Sequence, residues 1–305
     1  MKILNLPLSR STVDRAAHIR SDAQALESAW QASKVIHFNG SEFYTEGNSL
    51  KFLTADQISG SGERIFLGID SDQPYFLWCD EEKIGSDEDY KTLREISAEL
   101  TSLEIGLAVH GQAVAHWHQK HPICAICGLP TLPALGGSIR RCASEHEHYP
   151  RTDPAIIVLV KDKNDRILLG RQAVWPEHRF STFAGFVEAG ESFEQCVVRE
   201  VFEEAGVSVS DIHYLGSQPW PFPQSLMIAF EATIQDPENA RPDGEEIVEI
   251  RWFDRNELYA SIMEGTLLLP PSISVARAMI QSWYGEDRPP LPGAETWRPW
   301  DCKWN

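Results

Sequence analysis

Residues 185–207 read GFVEAGESFEQCVVREVFEEAGV, and this stretch decides the fold of the second half of the chain. Ser192, followed three residues later by Gln195, is a capping-box pattern that marks the start of a helix. Glycine is the residue type that most often ends a helix, and Gly206 stands at the expected position. The pattern therefore predicts about four turns of helix between these signals.

The predicted helix carries three neighbouring carboxylates, because Glu200, Glu203 and Glu204 stand at positions i, i+3 and i+4. They repel one another, and the helix macrodipole also disfavours them near the C-terminus. A hard cation such as Mg²⁺ or Mn²⁺ would relieve the repulsion and still bind phosphate oxygens. The alternative interpretation is a solvated, salt-bridged helix face. Apolar residues fill most of the remaining circumference and predict packing on several sides: Phe193, Cys196, Val197, Val198, Val201, Phe202 and Ala205.

The composition limits the class of protein. The chain has 305 residues, 42% of them hydrophobic, which suits two folded domains. Its formal net charge of −18 argues against broad electrostatic binding of nucleic acid. An anionic nucleotide substrate therefore needs local charge relief, for which bound metal is the obvious source. Because the sequence has no bilayer-length apolar run and no signal-peptide pattern, we expect a soluble, cytoplasmic protein.

The sequence pattern predicts four segments along the chain. Residues 1–119 are interpreted as an N-terminal α/β domain of unknown role, and residues 120–150 as a loop-rich, zinc-ribbon-like module. Residues 151–285 are interpreted as the catalytic domain, and residues 286–305 as a Pro- and Trp-rich tail. Strands mixed with segregated helices in the catalytic domain predict an α+β fold.

Individual elements follow from local patterns. A helical pattern covers residues 91–118, and Gly106 and Gly111 are expected to split it. Further strands and a terminal helix are predicted at 51–54, 64–68, 75–79, 155–160, 166–171, 226–233, 248–253 and 274–283.

The acidic helix and its flanks match the pattern G-x5-E-x7-R-E-U-x-E-E-x-G-U, in which U is apolar. The chain therefore resembles the Nudix hydrolases, and the resemblance implies a Nudix α/β/α sandwich. It implies that Glu200 and Glu204 bind the catalytic metal, that Glu203 is a ligand or the general base, and that the carbonyl of Ala184 joins the metal shell. It also implies that Glu191 and Arg199 form a supporting ion pair. The positions that match the pattern are Gly185, Glu191, Arg199, Glu200, Val201, Glu203, Glu204, Gly206 and Val207.

Residues 217–225 read SQPWPFPQS, and alternating prolines and aromatics favour a stiff extended loop with ring faces for stacking. A Pro-rich connector with buried aromatics is the alternative. The array after a Nudix box is typical of the NADH pyrophosphatase family, and this resemblance implies an additional metal ligand at Glu246. The substrate-binding residues it implies are Tyr149, Phe186, Gln218, Pro219, Trp220, Pro221, Phe222, Pro223, Gln224, Ser225, Met227 and Ala276.

The family resemblance implies hydrolysis of NAD(H) to AMP and nicotinamide mononucleotide. It also implies a second candidate activity, the removal of NAD caps from RNA 5′ ends. ADP-ribose or another dinucleotide is the alternative substrate, and a nucleotide sensor without turnover or a zinc-ribbon nucleic-acid binder are alternatives of other classes. Relatives in this family are commonly homodimers. The local basic cluster available for RNA is Arg140, Arg141, Arg151, His146 and His148.

Cys124-x-x-Cys127 followed by Cys142 is the beginning of a zinc-ribbon signature whose second pair is missing. His146 is the candidate fourth ligand, with His148 and Glu145 as alternatives. A metal-free remnant held by packing is the competing interpretation. A closed site of four protein ligands would be structural zinc. Cys79, Cys196 and Cys302 are interpreted as core or surface thiols. The helical pair Trp117–His118 is interpreted as packing and solvent-facing residues.

Overall fold

The computed structural model of the protein describes residues 4–292, so the predicted tail beyond residue 292 and Cys302 lie outside the described residues. By packing, the chain forms two units. The first, here called the N-terminal unit, comprises residues 8–152 and 219–225. The second, the C-terminal unit, comprises the described parts of residues 1–7, 153–218 and 226–305. Within the described residues, no helix is long and apolar enough to cross a membrane.

The N-terminal unit is built on one mixed sheet of seven strands and a long helix. Its central strands follow the order β3-β2-β1-β6-β5, with β4 on β1 and β7 on β2, and β1 runs parallel to β6. A separate three-stranded sheet, ordered β10-β9-β8, holds the cysteine module. The elements are α1 Ala23–Gln31, β1 Lys34–Phe38, β2 Phe43–Glu46, β3 Ser49–Leu50, β4 Phe52–Thr54, β5 Glu63–Asp70, β6 Gln73–Cys79, β7 Tyr90–Lys91, α2 Leu93–Ile96, α3 Ser102–Lys120, β8 Thr131–Ala134, β9 Ile139–Cys142 and β10 Glu147–His148.

The helical pattern over residues 91–118 is interrupted, but not at the predicted glycines. The break lies between α2 and α3, where Thr101 and Glu104 form a capping box that starts a new helix. Gly106 and Gly111 sit inside α3, where a β-carbon on either would crowd Ser11 or Leu77. These glycines allow close packing, so the prediction that they split the helix was wrong.

The C-terminal unit contains a six-stranded sheet ordered β14-β15-β11-β12-β16, with β13 paired to β11. Asp254 and Ser274 immediately precede the two C-terminal helices, and their side chains accept backbone hydrogen bonds as N-caps. The elements are β11 Asp153–Lys161, β12 Ile167–Gln172, β13 Phe183–Phe186, α4 Phe193–Ala205, β14 Val209–Trp220, β15 Ser225–Ile234, β16 Ile247–Phe253, α5 Arg255–Met263 and α6 Val275–Tyr284.

Strand β11 shows why this unit has three layers. Ile157 and Leu159 lie in one core together with residues of α6, whereas Ile156 and Val158 lie in a second core with residues of α4. Successive side chains of a strand point to opposite faces, so the two helices cover opposite faces of the sheet. The predicted α+β class and α/β/α sandwich are confirmed.

Candidate active site

Helix α4 begins and ends where the sequence predicts. Ser192 accepts a hydrogen bond from the backbone N–H of Gln195 at 3.2 Å, and Gln195 accepts one from the N–H of Ser192 at 2.9 Å. Gly206 ends the helix in the left-handed region, with φ of 69°. The helix presents its acidic residues from a position fixed at both ends.

One prediction about α4 was wrong, because the helix is not packed on several sides. Cys196, Val197, Val201 and Ala205 are buried, as expected for the face toward the sheet. The other three predicted packing residues are exposed: Phe193 is 40% exposed, Val198 38% and Phe202 57%. The sheet covers a single face of the helix.

Glu204 is the most buried carboxylate of the predicted site. Its side chain is 5% exposed, and its Oε2 has no hydrogen-bond partner among the described residues. Burial, together with the nearby Glu246 and Glu200, raises its pKa to about 9, against the opposing effect of the backbone N–H of Ala184. A buried acid with an unpartnered oxygen beside two other carboxylates is a site that suits a cation.

Glu200 lies one helical turn before Glu204, and it is held against the strand opposite. Its carboxylate occupies the space over the α-carbon of Gly185, where the β-carbon of any other residue would overlap it. Burial raises the pKa of Glu200, and Glu246 adds to the rise, against the opposing effect of Arg199. Gly185 is therefore required for room, since its φ is an ordinary one.

Arg199 ties the acidic helix to the loop before it. Its Nε and Nη2 donate to both oxygens of Glu191 at 2.8 and 2.9 Å, and Nη2 also donates to the carbonyl of Phe186 at 2.9 Å. Its Nη1 donates to Glu200 at 2.7 Å and to Glu203 at 3.0 Å. Chiefly through the Arg199 hydrogen bonds, the pKa of Glu191 falls to about 2. The planar guanidinium fork thus orients three carboxylates at once.

Glu246 is delivered by the loop before strand β16. Asp243 shapes this loop by accepting hydrogen bonds from the N–H groups of Glu245, Glu246 and Ile247. Gln172 then donates to the Glu246 carboxylate at 2.7 Å. Sequence pattern alone gives no role to Asp243 or Gln172, although the Asp243–Gly244 dipeptide is a recognised turn signal.

These carboxylates make a coherent site for a divalent ion. Glu200, Glu204 and Glu246 act on one another electrostatically, and Glu204 is buried with an unpartnered oxygen. Carboxylate oxygens are the donors that Mg²⁺ and Mn²⁺ prefer. Glu203 differs from them, because its side chain is 55% exposed and pairs with Arg199.

The predicted substrate-binding residues fall in both packing units. Residues 219–225 pack with the N-terminal unit, which also contains the exposed Tyr149. In the C-terminal unit, Phe186 is exposed and Met227 half-buried, whereas Gln218 and Ala276 are buried. The Gln218 amide donates to the carbonyl of Ile273 at 2.9 Å and so fixes the end of β14. Pro219 is tolerated there because β14 lies at the edge of the sheet.

The cysteine module brings its predicted ligands together. One ligand atom from each of Cys124, Cys127, Cys142 and His146 lies within 4.8 Å of all the others. His148 Nε2 also reaches Cys124 Sγ at 3.1 Å, whereas the Glu145 carboxylate faces Arg141 at 3.8 Å. Burial raises the pKa of Cys124, but backbone N–H groups of Cys127 and Ile126 and the His148 ring lower it to about 5. Three thiols and a histidine in this arrangement fit zinc.

The predicted basic cluster for RNA is not formed as expected. Arg140 is 4% exposed and donates to His118 Nδ1 at 2.7 Å and to the Thr131 carbonyl at 2.7 Å. His118 is itself buried, and its Nε2 donates to the carbonyl of Gly137 at 2.7 Å. Arg141 is paired with Glu147 at 2.6 Å. Arg140 and His118 therefore join the cysteine module to helix α3, a role that sequence alone did not show.

Known proteins resemble this chain along most of its length. A NUDIX domain matches residues 151–269. The chain is 39% identical over 296 residues to an NAD-capped RNA hydrolase NudC of Mycobacterium bovis (strain BCG / Pasteur 1173P2), covering 90% of this chain and 94% of that protein. It is 33% identical over 224 residues to an NAD-capped RNA hydrolase of Schizosaccharomyces pombe, covering 65% and 60% respectively. A solved NUDIX hydrolase from Nitrosomonas europaea is 24% identical, covers 44% of this chain and 78% of that chain, and has a TM-score of 0.38.

Proposed function

Because this chain belongs to the NUDIX hydrolases, in the family of the NAD-capped RNA hydrolases named NudC, we propose that it hydrolyses the central diphosphate bond of NAD(H). The products are AMP and nicotinamide mononucleotide. The same bond cleavage at the 5′ end of an NAD-capped RNA removes the cap, and we include that substrate in the proposal. The family supports the reaction, and the acidic site described above supplies the chemistry for it.

The observation that carries the proposal is the placement of Glu204, whose side chain is 5% exposed and whose Oε2 has no hydrogen-bond partner among the described residues. Burial and its acidic neighbours raise its pKa to about 9, which favours the protonated carboxyl at neutral pH. A bound divalent ion would favour the ionised carboxylate instead, because it would interact with the negative charge. A buried acidic cluster of this kind is costly in a purely structural helix.

The residues have distinct parts in the proposed reaction. Glu200, Glu204, Glu246 and the carbonyl of Ala184 would hold the catalytic Mg²⁺ or Mn²⁺. The bound ion supplies Lewis-acid stabilisation of charge on the diphosphate. Glu203 is the candidate to receive a proton from the attacking water, since it is the most exposed carboxylate of the helix triad. Arg199 holds Glu200 and Glu203 in their orientations.

Substrate selection is proposed for the residues outside the acidic helix. The aromatic faces of Phe186, Trp220 and Phe222 suit stacking on a flat base. The proposed substrate-binding set also includes other residues of the array and four outside its aromatic rings. They are Gln218, Pro219, Pro221, Pro223 and Gln224, together with Tyr149, Ser225, Met227 and Ala276. For the cysteine module we propose structural zinc, held by Cys124, Cys127, Cys142 and His146. The homodimeric state and cytoplasmic location remain predictions.

The proposal is tested by incubating the purified protein with NADH and either Mg²⁺ or Mn²⁺ and resolving the products. We expect AMP and reduced nicotinamide mononucleotide in equal amounts, and no products when the metal is chelated. Parallel reactions with NAD⁺, ADP-ribose and NAD-capped RNA rank the substrates by kcat/KM. Faster turnover of ADP-ribose than of every NAD-containing substrate would favour the alternative substrate, and binding without any turnover would favour a sensor.

A further inference from the structure

We propose that Gln112, on helix α3 of the N-terminal unit, is a positioning residue that sets the affinity of the enzyme for its dinucleotide. It acts through residues 219–225, called here the aromatic loop. This inference rests on the proposed function, because it assigns to the aromatic loop the task of stacking on a base of NAD(H). It also gives a role to the N-terminal unit, for which the sequence indicated none.

The strongest contact is the hydrogen bond from Gln112. Its Nε2 donates to the carbonyl of Pro221 at 2.7 Å, between residues 109 positions apart in the chain. Gln112 is 3% exposed and Pro221 is buried, so water does not compete for this bond. Pro221 and Pro223 lie between strands β14 and β15 and carry no N–H, so the carbonyls of this turn depend on partners such as the Gln112 amide.

The rings of the aromatic loop are fixed by the same unit. Trp220 and Phe222 meet edge to face, with ring centroids 4.9 Å apart. Both pack on the hydrophobic core that includes residues of α3, and the Arg94 guanidinium lies 4.0 Å from the Phe222 centroid and 5.3 Å from that of Trp220. The loop is therefore held through its backbone by Gln112, and through its rings by apolar and cation–π contacts.

This arrangement has a consequence for binding. A stacking surface that is held in one conformation before the ligand arrives spends no binding free energy on ordering itself. If the loop is released, the binding-competent fraction falls, and the apparent dissociation constant rises in proportion. The metal site is built from other residues, so the rate of the bound complex should change little.

The experiment compares Gln112→Met with wild type and with Gln73→Leu. Gln112→Met keeps the length and volume of the side chain and removes the donor. Gln73 also donates from its amide to a backbone carbonyl, that of Ala32 at 2.8 Å, in the same unit but away from the loop. For Gln112→Met we expect the KM for NADH to rise about tenfold, with kcat within about twofold of wild type. For Gln73→Leu we expect both constants to match wild type.

A second measurement does not depend on turnover. Hydrogen–deuterium exchange should be faster at the amides of Trp220, Phe222 and Gln224 in Gln112→Met, and unchanged in helix α4. If Gln112→Met does not fold, Gln112→Asn, whose shorter amide does not reach the Pro221 carbonyl, gives the same test with the same expected rise in KM.

The outcomes separate the two proposals. If wild type does not hydrolyse NADH, the proposed function fails, whatever the exchange data show. If wild type does hydrolyse NADH, but the variants keep its KM and its exchange rates at residues 220–224, the positioning role is wrong. If Gln112→Met lowers kcat and the melting temperature but leaves KM unchanged, Gln112 has only a structural role. That result would also overturn the inference.

Discussion

The carboxylate of Glu200 lies directly over the α-carbon of Gly185, so that helix α4 and strand β13 meet where no side chain can intervene. Gly185→Ala would push this carboxylate aside. We expect turnover of NADH to fall by about 100-fold, because displacements near 1 Å at a catalytic group have effects of that size. Steady-state kinetics at saturating Mg²⁺ measures it. Gly190→Ala is the comparison, since its added β-carbon meets no atom within 4 Å, although its φ of 91° makes that change mildly destabilising. Equal activity losses in the two variants would contradict the steric argument.

Glu204→Gln removes the charge of the most buried carboxylate while nearly keeping its shape. We expect turnover to fall by about 100-fold or more, because the remaining acids hold the metal less tightly and less accurately. The measurement is kcat/KM for NADH across a range of Mg²⁺ concentrations. Glu194→Gln, on the exposed first turn of the same helix, is the matched control and should behave as wild type. Near-normal activity in Glu204→Gln would discard the metal assignment.

The same carboxyl makes the stability of the metal-free protein depend on pH. Its pKa is about 9 when folded against an ordinary value of 4.5, so the folded state binds the proton more tightly. The stability this group contributes is present below pH 4.5 and is lost as the pH rises toward 9. Glu204→Gln should lack that slope, and in chelator at pH 7 it should be more stable than wild type by about 1–3 kcal/mol.

Urea unfolding at several pH values, with and without Mg²⁺, checks this prediction. Saturating Mg²⁺ should stabilise wild type more than Glu204→Gln, since binding to the folded state raises stability by mass action. A metal-free wild type whose stability does not fall between pH 6 and about pH 8, relative to the variant, would show that Glu204 is ionised without metal.

Arg199 is predicted to be irreplaceable by lysine. A point-like ammonium cannot reproduce the paired bonds to Glu191 together with those to Glu200 and Glu203. We expect Arg199→Lys to lower the free energy of unfolding by about 1–2 kcal/mol and also to reduce turnover. Arg171→Lys is the control, because Arg171 makes one bond of 3.3 Å to Glu249. Calorimetry and kinetics on both variants decide the matter, and equal effects would refute a special role for the fork.

The cysteine module is predicted to bind one zinc ion per chain. His146→Ala should lose the ion, because it removes one of four ligands. His148→Ala should retain it with weaker affinity, because His148 Nε2 contacts Cys124 Sγ and acts as a hydrogen-bond donor to a ligand. Elemental analysis and competition with a chromogenic chelator measure both. Retention of full zinc in His146→Ala with loss in His148→Ala would exchange their roles.

Particular residues show how far the sequence could go. The limits of α4 follow from Ser192, Gln195 and Gly206, which act within a few residues of one another, and the structure confirms them. The predicted split of the preceding helical region failed, because Gly106 and Gly111 serve contacts with Ser11 and Leu77 that lie far away in the chain. The exposure of Phe202 could not be predicted either, since the number of covered helix faces depends on the rest of the fold.

The sequence by itself determined the acidic helix, its glycine neighbour at position 185 and the three cysteines, because spacing along the chain is enough to specify them. Only the tertiary structure decided that Gln172 would support Glu246, that Arg140 would be buried against His118 rather than free for RNA, and that Gln112 would hold Pro221. The physical reason is distance along the chain. A cap or a helical cluster is a local interaction, whereas these three contacts join elements that meet only after the sheets have formed.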